Sequence, residues 1–334
     1  MLILLSIIAL NILIYYFNKN IAQYFDLFDK PDNSRKLHKT KVPLTGGIII
    51  LLNAFIAIIL ILSSQFSYET SAIFKSNYDL IILLISIVIF FLVGFLDDKY
   101  NISANKRFLF ISIILFPIIY FSDDLIIGQI NFSFIEYSIN LPFLFSIFWS
   151  VLCFLLFINA VNMFDGINFQ VGLYSIYLSL FFLMNNYFVL FFSFILIGLI
   201  TFIILNYKYK SFLGDSGSYV LAFIFGYFFI KIYNQTDNIE VDQIVLFMII
   251  PGLDLIRLFT IRIINGHNPF SPDRNHLHHI ISKKFNLIKT NLIIQSLIIL
   301  PSIFGYYFGF TYIFLLIQLG IYFYFVLKEK IIFS

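Results

Sequence analysis

The octapeptide PDRNHLHH, residues 272–279, holds three of the chain's five histidines together with one arginine and one aspartate. Imidazole rings and a guanidinium can all donate to phosphate oxygens. The segment belongs to a longer polar run, RIINGHNPFSPDRNHLHHIISKK, in which a glycine and two prolines impose an irregular path before a new helix starts. In that helix His276 and His279 share a face. Three histidines also suggest zinc. The only cysteine, Cys153, lies in an apolar run, however, and the loop is mostly positive, so oxyanion binding suits the cluster better. The plain alternative is a solvated polar loop.

Four further stretches carry polar residues beyond what chain placement alone requires. In DKPDNSRKLHKTKVPLTGG, Arg35, Lys36, His38, Lys39 and Lys41 could neutralise phosphate, or simply anchor the chain at an anionic surface. In GFLDDKYNISANKR, Asp97 and Asp98 close an apolar run, where a carboxylate is costly unless it is paired or holds a cation. On a continuing helix Asp97 and Asn101 share a face and Asp98 points about 100° away, so the two acids should do different jobs; neutralising Lys99, Lys106 and Arg107 is the structural reading. In FINAVNMFDGIN, Asn159, Asn162 and Asp165 follow at i,i+3 steps along one side of a helix that Gly166 can end, an arrangement suited to a metal and a ligand. In KSFLGDSGSYV, small residues around Asp215 let a ligand approach the backbone, while Asp215 or Ser216 as an ordinary N-cap is the plain reading.

The elements that must position these residues are membrane helices. With 60% hydrophobic and 12% charged residues, the composition excludes a soluble domain, whose charged fraction is about 25%. Eleven apolar stretches can span a hydrocarbon core of about 30 Å: 1–17, 44–63, 80–96, 107–121, 141–158, 170–184, 187–205, 216–232, 242–261, 290–308 and 311–327. The first has no basic leader and no small-residue cleavage pattern and is expected to be retained. All lysines and arginines but Lys75 and Lys231 then fall on one face, which the positive-inside rule makes cytoplasmic and which sets the N-terminus outside and the C-terminus inside. On the other face an alternating pattern predicts a short hairpin near 125–137. The fold class expected is an all-α integral-membrane bundle of about eleven transmembrane helices, forming one domain over residues 1–334, with no feature for nucleic acid.

Acids and amides at the ends of three spans, with basic and imidazole residues on two loops of the same face, suit a carboxylate-held Mg²⁺ beside phosphate groups. That combination serves phosphoryl transfer, which needs mainly positioning and charge neutralisation.

The same segments, in this order, resemble the polyprenyl-phosphate N-acetylhexosamine-1-phosphate transferase superfamily, glycosyltransferase family 4, and within it the bacterial undecaprenyl-phosphate GlcNAc-1-phosphate branch. The resemblance runs from Asp29 to His279 and rests on DKP with RK, His38 and Gly46-Gly47, then DDKYN, NAVNMFDG, GDSGS and PFSPDRNHLHH. It implies a Mg²⁺-dependent reaction, Mn²⁺ being a possible substitute, at the cytoplasmic face of the bacterial inner membrane. Undecaprenyl phosphate attacks the β-phosphate of a UDP-N-acetylhexosamine, releases UMP and starts a cell-surface glycan such as O-antigen, common antigen or a teichoic acid linkage unit. By the same resemblance Asp97 and Asp98 bind or deprotonate the lipid phosphate. The metal falls to Asp215, with Asp165 and Asp98. Arg35, Lys36, His38, Lys106, Asn159, Asn162, Asp273, Arg274, His276, His278 and His279 hold the substrates, the chain resting among membrane lipids as a monomer or homodimer.

Two departures stand out: Asn101 replaces the family's common third acid, and Asn168-Phe169 interrupts its DGxxGL pattern. Leu277 breaks the contiguous histidine triplet of the peptidoglycan branch, which uses a UDP-muramoyl-pentapeptide and is the near alternative. A transporter or flippase is the distant one, because transporters place their sites near the midplane; only Asp254 and Arg257, an i,i+3 pair, approach the interior of a span here.

Overall fold

The computed structural model describes residues 2–31, 40–65, 74, 76–236, 238–271 and 273–333. Each of the eleven apolar stretches is a helix: α1 Leu2–Phe25, α2 Gly46–Leu60, α3 Asn77–Tyr100, α4 Ala104–Tyr120, α5 Phe143–Phe164, α6 Gln170–Met184, α7 Val189–Tyr207, α8 Gly214–Gln235, α9 Val241–Ile264, α11 Leu287–Phe308 and α12 Thr311–Phe333. A short α10, Leu277–Ser282, lies in the last polar loop. Among the described residues nine helices are long and apolar enough to cross a bilayer, while α4 and α6 are shorter, at 17 and 15 residues. The chain is therefore an all-α, multi-pass membrane protein, because in hydrocarbon a backbone must satisfy its own polar groups and a helix does so within one segment.

Local signals set several helix ends. Glu240 and Gln243 form a reciprocal capping box at the start of α9. Asn286 caps α11 by accepting from the Lys289 amide, and Gly309 ends that helix with φ +76°. Pro301 inside α11 leaves the Leu297 carbonyl without its helical partner, and Gln318 of α12 donates Nε2 to it at 2.9 Å.

The chain forms two compact units. The first comprises residues 1–107 and 171–224. In it α2 packs on α1, α3 and α7. Two short strands, β1 Phe28–Asp29 and β2 Val42–Pro43, pair antiparallel, and the chain beyond β2 pairs on with the segment before α8: the Phe212 amide donates to the Pro43 carbonyl, and the Gly46 and Gly47 amides donate to the carbonyls of Phe212 and Leu213. A buried polar cluster backs this seam. Asn18 donates to the Lys210 carbonyl at 2.7 Å and accepts from Thr45, whose hydroxyl also meets Ser211.

The second unit comprises residues 108–170 and 225–334. In it α9 packs on α5, α11 and α12, and α10 lies against α11 and α12. The expected hairpin is present. Its strands are β3 Gln129–Phe132 and β4 Ile135–Asn140, with the turn at Ser133-Phe134. Ser133 explains the placement, since its amide and hydroxyl both donate to Asp242 at the start of α9. Lys231, near the end of α8, is buried and pairs with Asp124 at 2.9 Å.

Candidate active site

In the first unit the sequence brings three acids together. Helix α3 is apolar until its last turn, where Asp97 and Asp98 leave it in different directions, as the helical angle requires. Asp97 is buried, 2% exposed at the side chain, and meets Arg107 of α4 at 2.6 Å. The same guanidinium nitrogen lies 3.3 Å from Asp215, the second residue of α8, which is 28% exposed. Asp97 also accepts from the Ile102 amide at 2.8 Å and from the Tyr219 hydroxyl at 3.4 Å. Asp98 turns to α8 instead. Its carboxylate accepts from the Asp215 amide at 2.8 Å, the Ser216 amide at 3.1 Å and the Ser216 hydroxyl at 2.7 Å.

The cap of α8 is thus supplied by another helix, not by Asp215 or Ser216. Two glycines permit it. Gly214 adopts φ +74°, and a Cβ there would stand 2.6 Å from Asp98 Oδ2. At Gly94 a Cβ would stand 2.4 Å from the Ser216 backbone, so only glycine lets α3 come this close to α8. Asn101 leaves the helical face altogether: it caps α3 in the left-handed region, φ +49°, which asparagine tolerates better than most residues.

The pairing of an acid with Arg107 was legible as a structural reading of this loop; the role of Ser216 and Tyr219 was not. Lys106 is exposed on the first turn of α4. Arg35, Lys36 and His38, with Lys39, lie outside the described residues.

The second unit holds the remaining candidates. Asn159 donates Nδ2 back to the Leu155 carbonyl of its own helix at 2.7 Å. Helix α5 ends at Phe164, and Asp165 caps it, partly buried, as Asn162 is. The next residue, Gly166, lies under the His278 ring, because a Cβ on it would be 1.9 Å from Nε2. His278 is 1% exposed, and among the described residues neither ring nitrogen has a partner. Its ring stacks on His276, centroids 5.2 Å apart and planes 8° from parallel, and meets His279 edge-on at 4.3 Å.

Burial, reinforced by His279 and His276, pushes the His278 imidazole well below its ordinary range. Burial, with His276 and Arg274, lowers His279 to about 4. At neutral pH both rings are therefore neutral hydrogen-bonding groups. Asp273 braces the loop: Arg262 donates Nε to it at 2.8 Å, and it accepts the Asn275 amide at 2.8 Å. Arg274 is exposed.

Sequence reasoning did not place Arg262 or Tyr322, whose partners lie far along the chain, and it used Asp254 and Arg257 only as a mark of polarity within a span.

Comparison with known proteins gives this geometry a context. The profile that matches is glycosyl transferase family 4, over residues 80–233. This stretch includes the whole Asp97, Asp98, Arg107 and Asp215 cluster. Over most of its length the chain is also similar to proteins named undecaprenyl-phosphate alpha-N-acetylglucosaminyl 1-phosphate transferase. That of Salmonella typhi is 26% identical over 298 residues, 84% of this chain and 76% of the relative. That of Thermotoga maritima is 26% identical over 301 residues, 87% of each. That of Yersinia pestis is 27% identical over 299 residues, with 84% and 76% covered.

The family 4 resemblance raises the question of a metal. Among the described residues no group of three or more His, Cys, Asp or Glu could hold an ion as a closed protein cage. Mg²⁺ needs no such cage, since it takes one or two carboxylates and completes its shell with water and substrate phosphates. Asp215 fits that requirement: it is an oxygen donor, partly exposed, and its backbone is fixed by Asp98.

Proposed function

We propose that the protein is a polyprenyl-phosphate N-acetylhexosamine-1-phosphate transferase whose donor is a UDP-sugar, UDP-GlcNAc being the donor favoured by the names of its relatives. The observation that carries this reading is the Asp97–Arg107–Asp215 cluster at the start of α8, with Asp98 devoted to holding that start in place. One cation set between two carboxylates, one of them suited to Mg²⁺, is what a site for two phosphate-bearing reactants needs.

The polyprenyl phosphate oxygen attacks the donor's β-phosphorus, and the bond from that phosphorus to the oxygen bridging to the α-phosphate breaks. UMP departs, and the lipid carries a diphosphate-linked sugar. Bound Mg²⁺ supplies charge neutralisation at the diphosphate. Asp215 would hold it. Arg107 pairs with buried Asp97 at 2.6 Å and so fixes that acid beside the lipid phosphate. Asp98 positions Asp215. The neutral rings of His278 and His279, with His276, Arg274 and the amides Asn159 and Asn162, bind the donor, while Lys106 and the basic residues Arg35, Lys36 and His38 add counter-charge.

The excess of lysine and arginine on one face supports a reaction on the cytoplasmic side, which in a bacterial inner membrane would begin a lipid-linked surface glycan. The test is UMP release by purified protein given undecaprenyl phosphate, Mg²⁺ and a panel of UDP-GlcNAc, UDP-GalNAc and UDP-FucNAc. Turnover with one of them supports the reading, and none with any in folded protein ends it.

A further inference from the structure

The chemistry assigned above makes no use of Asp254. This residue lies on α9 and is buried, and a carboxylate inside a span is costly unless it is fully paired. It is. Oδ1 accepts from Arg257 Nη2 at 2.8 Å, from the Tyr322 hydroxyl at 3.0 Å and from the Leu277 amide at 3.1 Å. Oδ2 meets His276 Nδ1 at 2.9 Å. Arg257 extends the grip, donating Nη2 to the Asn275 carbonyl at 2.6 Å and Nε to the Tyr322 hydroxyl at 2.7 Å.

The pair therefore holds three consecutive residues by three different groups: the carbonyl of Asn275, the ring of His276 and the amide of Leu277. All of these partners belong to one unit. A carboxylate that already accepts from Arg257, Tyr322 and Leu277 accepts from the imidazole too, so the hydrogen on Nδ1 is fixed. No described residue bonds Nε2, the other ring nitrogen. The His276 ring in turn stacks on His278, whose ring nitrogens have no partner among the described residues.

We propose that Asp254 and Arg257 are positioning residues, which set the plane and tautomer of His276 so that its Nε2 meets the nucleotide-sugar donor. The proposal rests on the transferase reading above and deepens it. A brace that merely kept the loop folded would make the same bonds, so the test must separate action through His276 from general support.

Kinetics of UMP release would be measured for wild type, Asp254→Asn, His276→Ala and the double variant, with thermal midpoints recorded in parallel. Asp254→Asn is expected to lower kcat/KM about 10- to 100-fold, the usual loss when a group that orients a functional histidine is changed. His276→Ala is expected to lose at least as much. The double variant should match His276→Ala within about twofold, because groups that act through one another are not additive.

If Asp254→Asn does not fold, Tyr322→Phe takes its place in the cycle; it removes one donor from the same carboxylate, and a loss of a few-fold that disappears in the His276→Ala background is expected. A double variant slower by the product of the two single effects, or wild-type rates for Asp254→Asn or for His276→Ala, would overturn the positioning role while leaving the transferase reading intact. Wild-type protein that releases no UMP from any donor overturns the transferase reading and this inference with it.

Discussion

Arg107 faces a buried acid on one side and a half-exposed one on the other, and the two should respond differently to mutation. Replacing Arg107 by alanine removes the cation paired with buried Asp97 and its bond to Asp215, so a marked fall in thermal midpoint is expected. Asp215→Asn keeps shape and fold but removes the charge offered to metal and phosphate. Its midpoint should stay near wild type while UMP release falls about 100-fold or more; near-normal turnover would remove Asp215 from the site. In the second unit, Gly166→Ala must displace the His278 ring and should cost activity about 10-fold or more, whereas Gly128→Ala, with nothing within 4 Å of the new atom, should be silent. The buried histidines also predict a pH effect. His279 falls from its ordinary 6.5 to about 4 in the folded chain, and His278 moves the same way, so the unfolded chain binds more protons between those values. Stability is present above about 6.5 and is lost as pH falls toward 4, which a series of thermal midpoints across that window would show. The divergence of Asp97 and Asp98 was legible in sequence because helical geometry alone requires it. The destination of Asp98 was not: the amides it caps are 117 and 118 residues further along the chain, and no local pattern encodes such a pairing.

At the scale of elements, the contact between α3 and α8 decides whether the acids meet at all. Gly94→Ala would set a methyl 2.4 Å from the Ser216 backbone, and since that backbone cannot rotate away, α8 must shift relative to Asp98. Loss of both thermal stability and UMP release is expected, against a control at Gly320 of α12, where a Cβ meets nothing within 4 Å and alanine should be tolerated. Wild-type behaviour of Gly94→Ala would show that the helix approach does not hold the cap. The helices themselves were legible, because a membrane-crossing segment must be long, apolar and helical. Their ends were less so. The polar last turn of α3, through Tyr100, is apparent only from the capping of Asn101, whereas the end of α5, with Asp165 as its cap just before Gly166, was readable from NAVNMFDG. The hairpin was visible as alternation, but its turn depends on Ser133 reaching Asp242, a tertiary contact.

For the molecule as a whole, composition and charge placement settle its environment, and the motifs point to its chemistry. The basic residues crowd the ends of spans on one side of the topology expected from the sequence, and the proposed function puts both phosphate-bearing reactants on that side. A cysteine introduced at exposed Lys106 is therefore expected to react with an impermeant thiol reagent in inverted vesicles and not in intact cells; labelling in intact cells would reverse the orientation. The most direct test of the central claim is UMP release from UDP-GlcNAc and undecaprenyl phosphate by purified wild-type protein, with and without a chelator. Release that stops on chelation, returns with added Mg²⁺ and is accompanied by lipid-linked sugar diphosphate is the predicted result. Folded protein that yields no UMP in the presence of Mg²⁺ from UDP-GlcNAc or any related UDP-N-acetylhexosamine would contradict it.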